Sequence, residues 1–184
     1  MSHFPRTTEA ELVQRIWAEL LRATVDRHHE WRTPVLATTS APGVPQARTV
    51  VLRGVDAQAA QLVVYTDRRS PKVAELQASP AAAMVFWSQR LKWQLRASVR
   101  AEVHTQGALV DAAWARVGQS AAAGDYLAPQ APGSPLEAAT ATGSEQHHLA
   151  VITAQVEELD WLALSREGHQ RARVLGSEVQ WLVP

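Results

Sequence analysis

Arg68, Arg69, Ser70 and Lys72 stand where a run of strand character, Leu62-Val63-Val64-Tyr65-Thr66, gives way to a helix start. Ser70 suits an N-cap, Pro71 suits the first helical position, and the residues after Lys72 can continue as helix until Ser79-Pro80. Unpaired amides and the positive end of the helix dipole favour an anion at such a junction. The nearby cations and hydroxyl add charge-assisted hydrogen bonds, and a phosphate is the natural guest. A solvated turn in which Ser70 is only a cap is the other reading open to these residues. Just upstream, Arg48-Thr49-Val50-Val51-Leu52-Arg53 and a polar connector containing Gly54 complete the pattern of a β-hairpin that delivers its second strand to this helix.

Other chemistries lack their patterns. The sequence contains no Gly-x-Gly-x-x-Gly or Walker glycine loop, no His-Glu-x-x-His and no Gly-x-Ser-x-Gly. His28-His29 and His147-His148 are adjacent pairs, whose side chains diverge, so they read as exposed surface histidines rather than metal chelates. The tryptophans at 17, 31, 87, 93, 114, 161 and 181 read mostly as core or interface residues. Lys plus Arg and Asp plus Glu balance at 18 each, which argues against broad attraction to nucleic acid or an anionic membrane. The absence of cysteine removes disulfides, iron–sulfur clusters and a thiol nucleophile, and is compatible with a reducing cytoplasm. The first residues lack the basic-then-apolar pattern of a secretory signal and no apolar run is long enough to span a membrane, so a cytoplasmic location is expected.

The elements that must position these residues follow from periodicity. A first amphipathic helix is expected over about 8–28, with Leu12, Val13, Ile16, Trp17, Leu20 and Leu21 on its apolar face. Strands are expected at 35–40, 47–53, 62–67, 81–87 and 91–104, with the short helix after Ser70 between the third and fourth. A second long helix spans about 107–123. Residues 128–146, with Pro129, Pro132, Gly133, Pro135 and Gly143, read as a long loop, of a length that is usually functional or mobile. Four further strands are expected at 148–157, 159–164, 169–174 and 178–183. Many short antiparallel strands with few helices predict a mainly β fold, a closed or nearly closed barrel with flanking helices, in one domain over 1–184.

The order and spacing of these motifs resemble the pyridoxamine 5'-phosphate oxidase-like family of FMN-binding split barrels, of antiparallel Greek-key type. The resemblance covers nearly the whole chain. Arg48-Thr49-Val50-Val51-Leu52-Arg53 stands where the family has Arg-x-Val-Leu-Leu-Lys, which implies that Arg48 meets the flavin phosphate, that Thr49, Val50 and Val51 offer backbone contacts to the ring, and that Arg53 lies near substrate. Tyr65-Thr66-Asp67-Arg68-Arg69-Ser70-Pro71-Lys72 stands for Tyr-Thr-Asn-x-x-Ser-Arg-Lys, implying phosphate and ribityl contacts from Tyr65, Thr66, Ser70 and Lys72. One family arginine is Pro71 here, and Arg69 is positioned in sequence to compensate. Gln94 matches a glutamine that contacts the flavin, Gln130 a second, and Trp161 with Arg171 the family's tryptophan-to-arginine spacing.

The resemblance further implies a homodimer with FMN at the subunit interface and flavin-mediated hydride or electron transfer with a small substrate. Substrate contacts diverge. The family's Arg-x-His motif reads Glu167-Gly168-His169, which keeps His169 but sets a carboxylate where a substrate phosphate would approach. The helix after Gly107 is alanine-rich where the oxidases place Tyr, Arg and Ser. Retained FMN binding without vitamin B6 oxidation is therefore the expectation, with a non-catalytic sensor or carrier, or a related split barrel using haem or a deazaflavin, as the alternatives.

Overall fold

The structure, a computed structural model, describes residues 8–135 and 146–184. Part of the expected 128–146 loop therefore lies outside the described residues. Helix α1 (Glu9–Val25) starts at a capping box: Thr8 accepts from the Glu11 amide while the Glu11 carboxylate accepts from that of Thr8. Leu12, Ile16, Leu20 and Ala23 recur on one face and are buried. Among the described residues no helix is long and apolar enough to cross a membrane.

Among the described residues nine strands follow: β1 (Val35–Thr39), β2 (Pro45–Thr49), β3 (Leu52–Asp56), β4 (Gln61–Asp67), β5 (Ala81–Ser88), β6 (Trp93–His104), β7 (Leu149–Ala163), β8 (Gln170–Leu175) and β9 (Glu178–Leu182). Helix α2 (Pro71–Ala78) joins β4 to β5, and α3 (Ala108–Val117) follows β6. All strand pairs are antiparallel, in the order β2-β1-β5-β6-β7-β4-β3, with β8 on β7 and β9 on β8. The step from β4 through α2 to β5 passes over β7 and β6, a Greek-key connection.

The expected strand over 47–53 is two strands. Its first half pairs with β1 and its second with β4, while Val50 and Val51 belong to neither ladder. The Val50 amide donates instead to the Pro34 carbonyl at 2.9 Å. Since β2 and β3 are the two ends of the strand path, the sheet must curl until those ends nearly meet: three Cα steps of about 3.8 Å reach at most about 11 Å. The ends are not hydrogen-bonded to each other, so the barrel is split rather than closed.

Conversely, the strands expected at 148–157 and 159–164 are one. Strand β7 pairs along its length with β6, and the register shifts where Ser98 faces Glu158 but Val99 faces Val156, leaving Glu157 as an extra, bulged residue. The bulge exchanges the faces: Ile152, Ala154 and Val156 point to the core before it, and Leu159 and Trp161 after it. That break in alternation is what resembled a strand end. Along its other edge β7 pairs first with β4 and then with β8.

The main core lies inside the barrel and under α1, and includes a line of indoles, Trp31, Trp93 and Trp161, with Trp181 at its end. A second cluster, Val110, Ala113, Val117, Tyr126, Leu149 and Val151, packs α3 and the turn Ala121–Tyr126 onto the opposite face of β4 and β7. His29 corrects one expectation. It is buried, accepting from the Trp31 amide at Nδ1 and meeting Glu19 through Nε2 at 2.7 Å.

Candidate functional site

The junction of β4 and α2 gathers Arg48, Thr66, Ser70 and Lys72. Alternation on β4 sends Leu62, Val64 and Thr66 to one face, and on β2 it sends Arg48 to the same side as Leu36 and Thr38 of β1. Helix α2 covers this side, with Val73 and Leu76 buried and Lys72 and Glu75 one turn apart. Lys72 Nζ donates to Ser70 Oγ at 2.6 Å and Thr66 Oγ1 at 3.1 Å. Among the described residues it pairs with no carboxylate. Burial, and then the neighbouring Arg48 cation, hold its ammonium below the usual lysine range, against the pull of Glu75 and Asp67.

Ser70 occupies the N-cap position, but its hydroxyl makes no cap bond and serves Lys72 instead. The Val73 amide closes onto the Ser70 carbonyl at 2.9 Å. Arg48 donates from Nη1 to the Leu36 carbonyl and to Thr38 Oγ1, and from Nη2 to Glu75 Oε2 at 2.8 Å. Thr38 in turn donates to Glu75 Oε2 at 2.5 Å. Thr38 and Glu75 are thus members of the cluster that the sequence motifs do not mark. Their only signals are the even spacing of Leu36 and Thr38 and the i, i+3 spacing of Lys72 and Glu75.

Arg69 faces elsewhere. Its Nε and Nη2 grip Asp67 at 3.0 and 2.6 Å, and its Nη1 and Nη2 donate to the carbonyls of Pro129 and Ala128. Burial opposes the Asp67 charge, but the Arg69 side-chain and amide bonds outweigh it and hold the carboxyl below its usual range. In place of filling in for Pro71, Arg69 ties residues 128 and 129 beside the start of α2. Gln130, the next residue along, is exposed.

Tyr65 points to the other face of β4, into the second cluster. Arg53 is the bulged residue of β3, between Leu52 and Gly54, and its guanidinium carbon lies 5.9 Å from the Tyr65 ring centroid. Arg53 also faces the Tyr126 hydroxyl, whose proton is held more tightly by burial, with Arg53 opposing that effect. Thr49 is exposed at the end of β2, and Val50 and Val51 form the seam.

The remaining expected residues lie across the sheet. Gln94, flanked by Trp87 and Leu162, is on the outer face of β6. Trp161 is on the inner face, buried edge-to-face against Trp93 with centroids 5.1 Å apart, and its indole N–H has no partner among the described residues. Arg171 binds Asp160 through Nε at 3.0 Å and Nη2 at 2.7 Å, which holds that carboxyl below its usual range with help from Arg96 and Arg173. His169 is exposed, accepts from the Ser165 amide at 3.2 Å, and lines a shallow cavity with Trp181 and Leu182.

A donor count separates the two arginines. An arginine has five N–H donors, and its Nε–Nη2 edge is the fork that clasps two oxygens of one anion. Arg171 has spent that fork on Asp160 and keeps, among the described residues, the two donors of Nη1 and one of Nη2, on its other edge. Arg48 has spent two donors of Nη1 and one of Nη2, while its Nε is unspent among the described residues.

Residues 14–105 match the family described as pyridoxamine 5'-phosphate oxidase, FMN-binding domain. The chain is 39% identical over 85 residues to the pyridoxine/pyridoxamine 5'-phosphate oxidase of Microcystis aeruginosa; the match takes in 46% of this chain and 38% of that protein. Its backbone resembles that of a pyridoxamine 5'-phosphate oxidase-related, FMN-binding protein from Nostoc punctiforme, with a TM-score of 0.75 at 22% identity, covering 100% of both chains. It also resembles PhzG from Burkholderia lata, solved with tetrahydrophenazine-1-carboxylic acid, with a TM-score of 0.74 at 19% identity, covering 100% of this chain and 98% of that one. The fold and the matched half of the sequence agree: the chain belongs to the pyridoxamine 5'-phosphate oxidase family of FMN-binding domains.

Proposed function

We infer that the protein binds FMN and uses it as an oxidoreductase, with Arg48, Lys72, Ser70 and Thr66 cradling the phosphate. The observation that carries this reading is the convergence of two cations and two hydroxyls at the start of α2, where the Nε of Arg48 is unspent and Lys72 has no carboxylate partner among the described residues. A phosphate supplies the missing acceptors and the counter-charge, so the donor set fits the group. Bound FMN supplies two-electron chemistry at its ring, and the chain's part is to bind, orient and shield it.

The seam residues Val50 and Val51, outside both ladders, suit backbone contacts to the ring edge. Gln94, and the Nη1–Nη2 edge left to Arg171, suit the carbonyl and nitrogen edge of the ring. They share an outer face with Trp87 and Val35, which are exposed. A second copy of the chain covering that face completes the site in a homodimer. Trp161 contributes through packing. Arg53 and His169 are left for substrate, and Glu167 disfavours a phosphorylated one.

The absorption spectrum of the purified protein tests this directly. A flavin band in the blue, released on denaturation, is the expected result, together with a dimeric mass and little oxidation of pyridoxamine 5'-phosphate. A colourless protein that refuses added FMN overturns the reading.

A further inference from the structure

Glu75 is the residue of the cluster whose presence needs a reason. A carboxylate beside a phosphate cradle repels the ligand, and removing it simplifies the electrostatics. Its placement, however, is specific. Thr38 Oγ1 is bonded both to Arg48 Nη1 and to Glu75 Oε2, and Glu75 Oε2 is bonded to Arg48 Nη2, so the three side chains close a ring on the Nη1–Nη2 edge of the guanidinium. The Leu36 carbonyl takes the other Nη1 donor at 3.4 Å.

Among the described residues two donors remain, Nε–H and one Nη2–H, and they lie together on the opposite edge. That is the edge with which Arg69 and Arg171 each clasp a carboxylate in this same molecule. Thr38 is 4% exposed, and the Glu75 side chain is 10% exposed, so the ring is held by packing as well as by hydrogen bonds.

We propose that Glu75, with Thr38, is a positioning residue: it occupies the inner edge of Arg48 and thereby presents the Nε–Nη2 fork to the phosphate of a flavin nucleotide. The inference rests on the phosphate reading of the cluster. An arginine fixed in advance loses less side-chain freedom on binding, and a fork met in register makes two bonds instead of one. The charge of Glu75 is then secondary to its acceptor oxygen, which an amide reproduces.

The test compares dissociation constants of FMN and riboflavin, which differ by the phosphate, for the wild type and for Glu75→Gln, Glu75→Ala, Thr38→Val and Arg48→Ala. Riboflavin affinity unchanged across the set shows that the fold and ring site are intact. The expected result is that Glu75→Ala lowers the preference for FMN by about tenfold, the scale of one charge-assisted bond. Glu75→Gln keeps or raises the preference, and Thr38→Val falls between. Glu75→Ala binding FMN as tightly as Glu75→Gln, or more tightly, overturns the proposal and makes Glu75 a mere competitor of the ligand. A preference that survives Arg48→Ala instead overturns the phosphate reading beneath it.

Discussion

The surroundings of Lys72 disfavour its charge. Burial and Arg48 lower its pKa, so above that lowered value, and below the unfolded-state value of about 10.4, the unfolded chain binds more protons than the folded one. Stability of the free protein therefore rises with pH through that window as far as Lys72 is concerned. A phosphate beside Lys72 favours the ammonium, so FMN affinity moves the opposite way, falling by a factor that approaches tenfold per pH unit once pH passes the lowered pKa. Titrating FMN binding from neutral to alkaline pH in the wild type and in Lys72→Met checks this; an equal slope in both sinks it. That Ser70 and Lys72 stand together was legible from the local pattern of a strand end and a helix start, whereas Arg48 and Thr66 entered only through the family resemblance. Glu75 and Thr38 were not legible, since a glutamate on a helix and a threonine in a strand look like solvent-facing choices until the fold sets α2 over β1. Arg69 misled for the same reason: nothing local shows that Asp67 and the carbonyls of residues 128 and 129 compete for it.

At the scale of elements, period-two alternation located the strands, and bulges hid how they join. Strand β7 carries two opposite alternations on one continuous ladder, and Glu157 is the residue that reconciles them. Deleting Glu157 forces a choice: either Leu159 and Trp161 turn outward or Ile152 and Ala154 do. The expected cost is on the order of 4–5 kcal/mol or more, enough to leave the chain insoluble or unfolded. A soluble variant with native-like denaturant stability contradicts the bulge's role. Substituting Glu157 by Gln keeps the extra residue and removes only its exposed pair with Arg100, worth about 0–1 kcal/mol. The same device acts at Arg53, where the extra residue returns Val55 to the core face that Leu52 already occupies, while Arg53 lies on the side of Tyr65. Helix α1 was simpler to read, because its cap, its first-turn acids and its apolar stripe all agree.

For the whole molecule, the curl of the sheet is what joins distant stretches of sequence: its two ends are consecutive strands, and the residues between them sit beside the proposed cofactor cradle. That closure is invisible to any window of sequence, because it depends on which strands pair across long separations. The seven tryptophans posed a similar ambiguity between packing and recognition, and the core resolves it for most of them. Trp31, Trp93, Trp161 and Trp181 succeed one another with centroids 6.3, 5.1 and 6.4 Å apart. Indoles this close share excitation, so light absorbed at any of them migrates along the line and can be drained at a single point. A flavin absorbs where tryptophan emits, which makes the barrel its own optical reporter. Adding FMN to cofactor-free protein is expected to extinguish most of the intrinsic emission, and replacing Trp161 by Phe to weaken that loss by interrupting the line. Emission that persists at saturating FMN places the flavin away from this core.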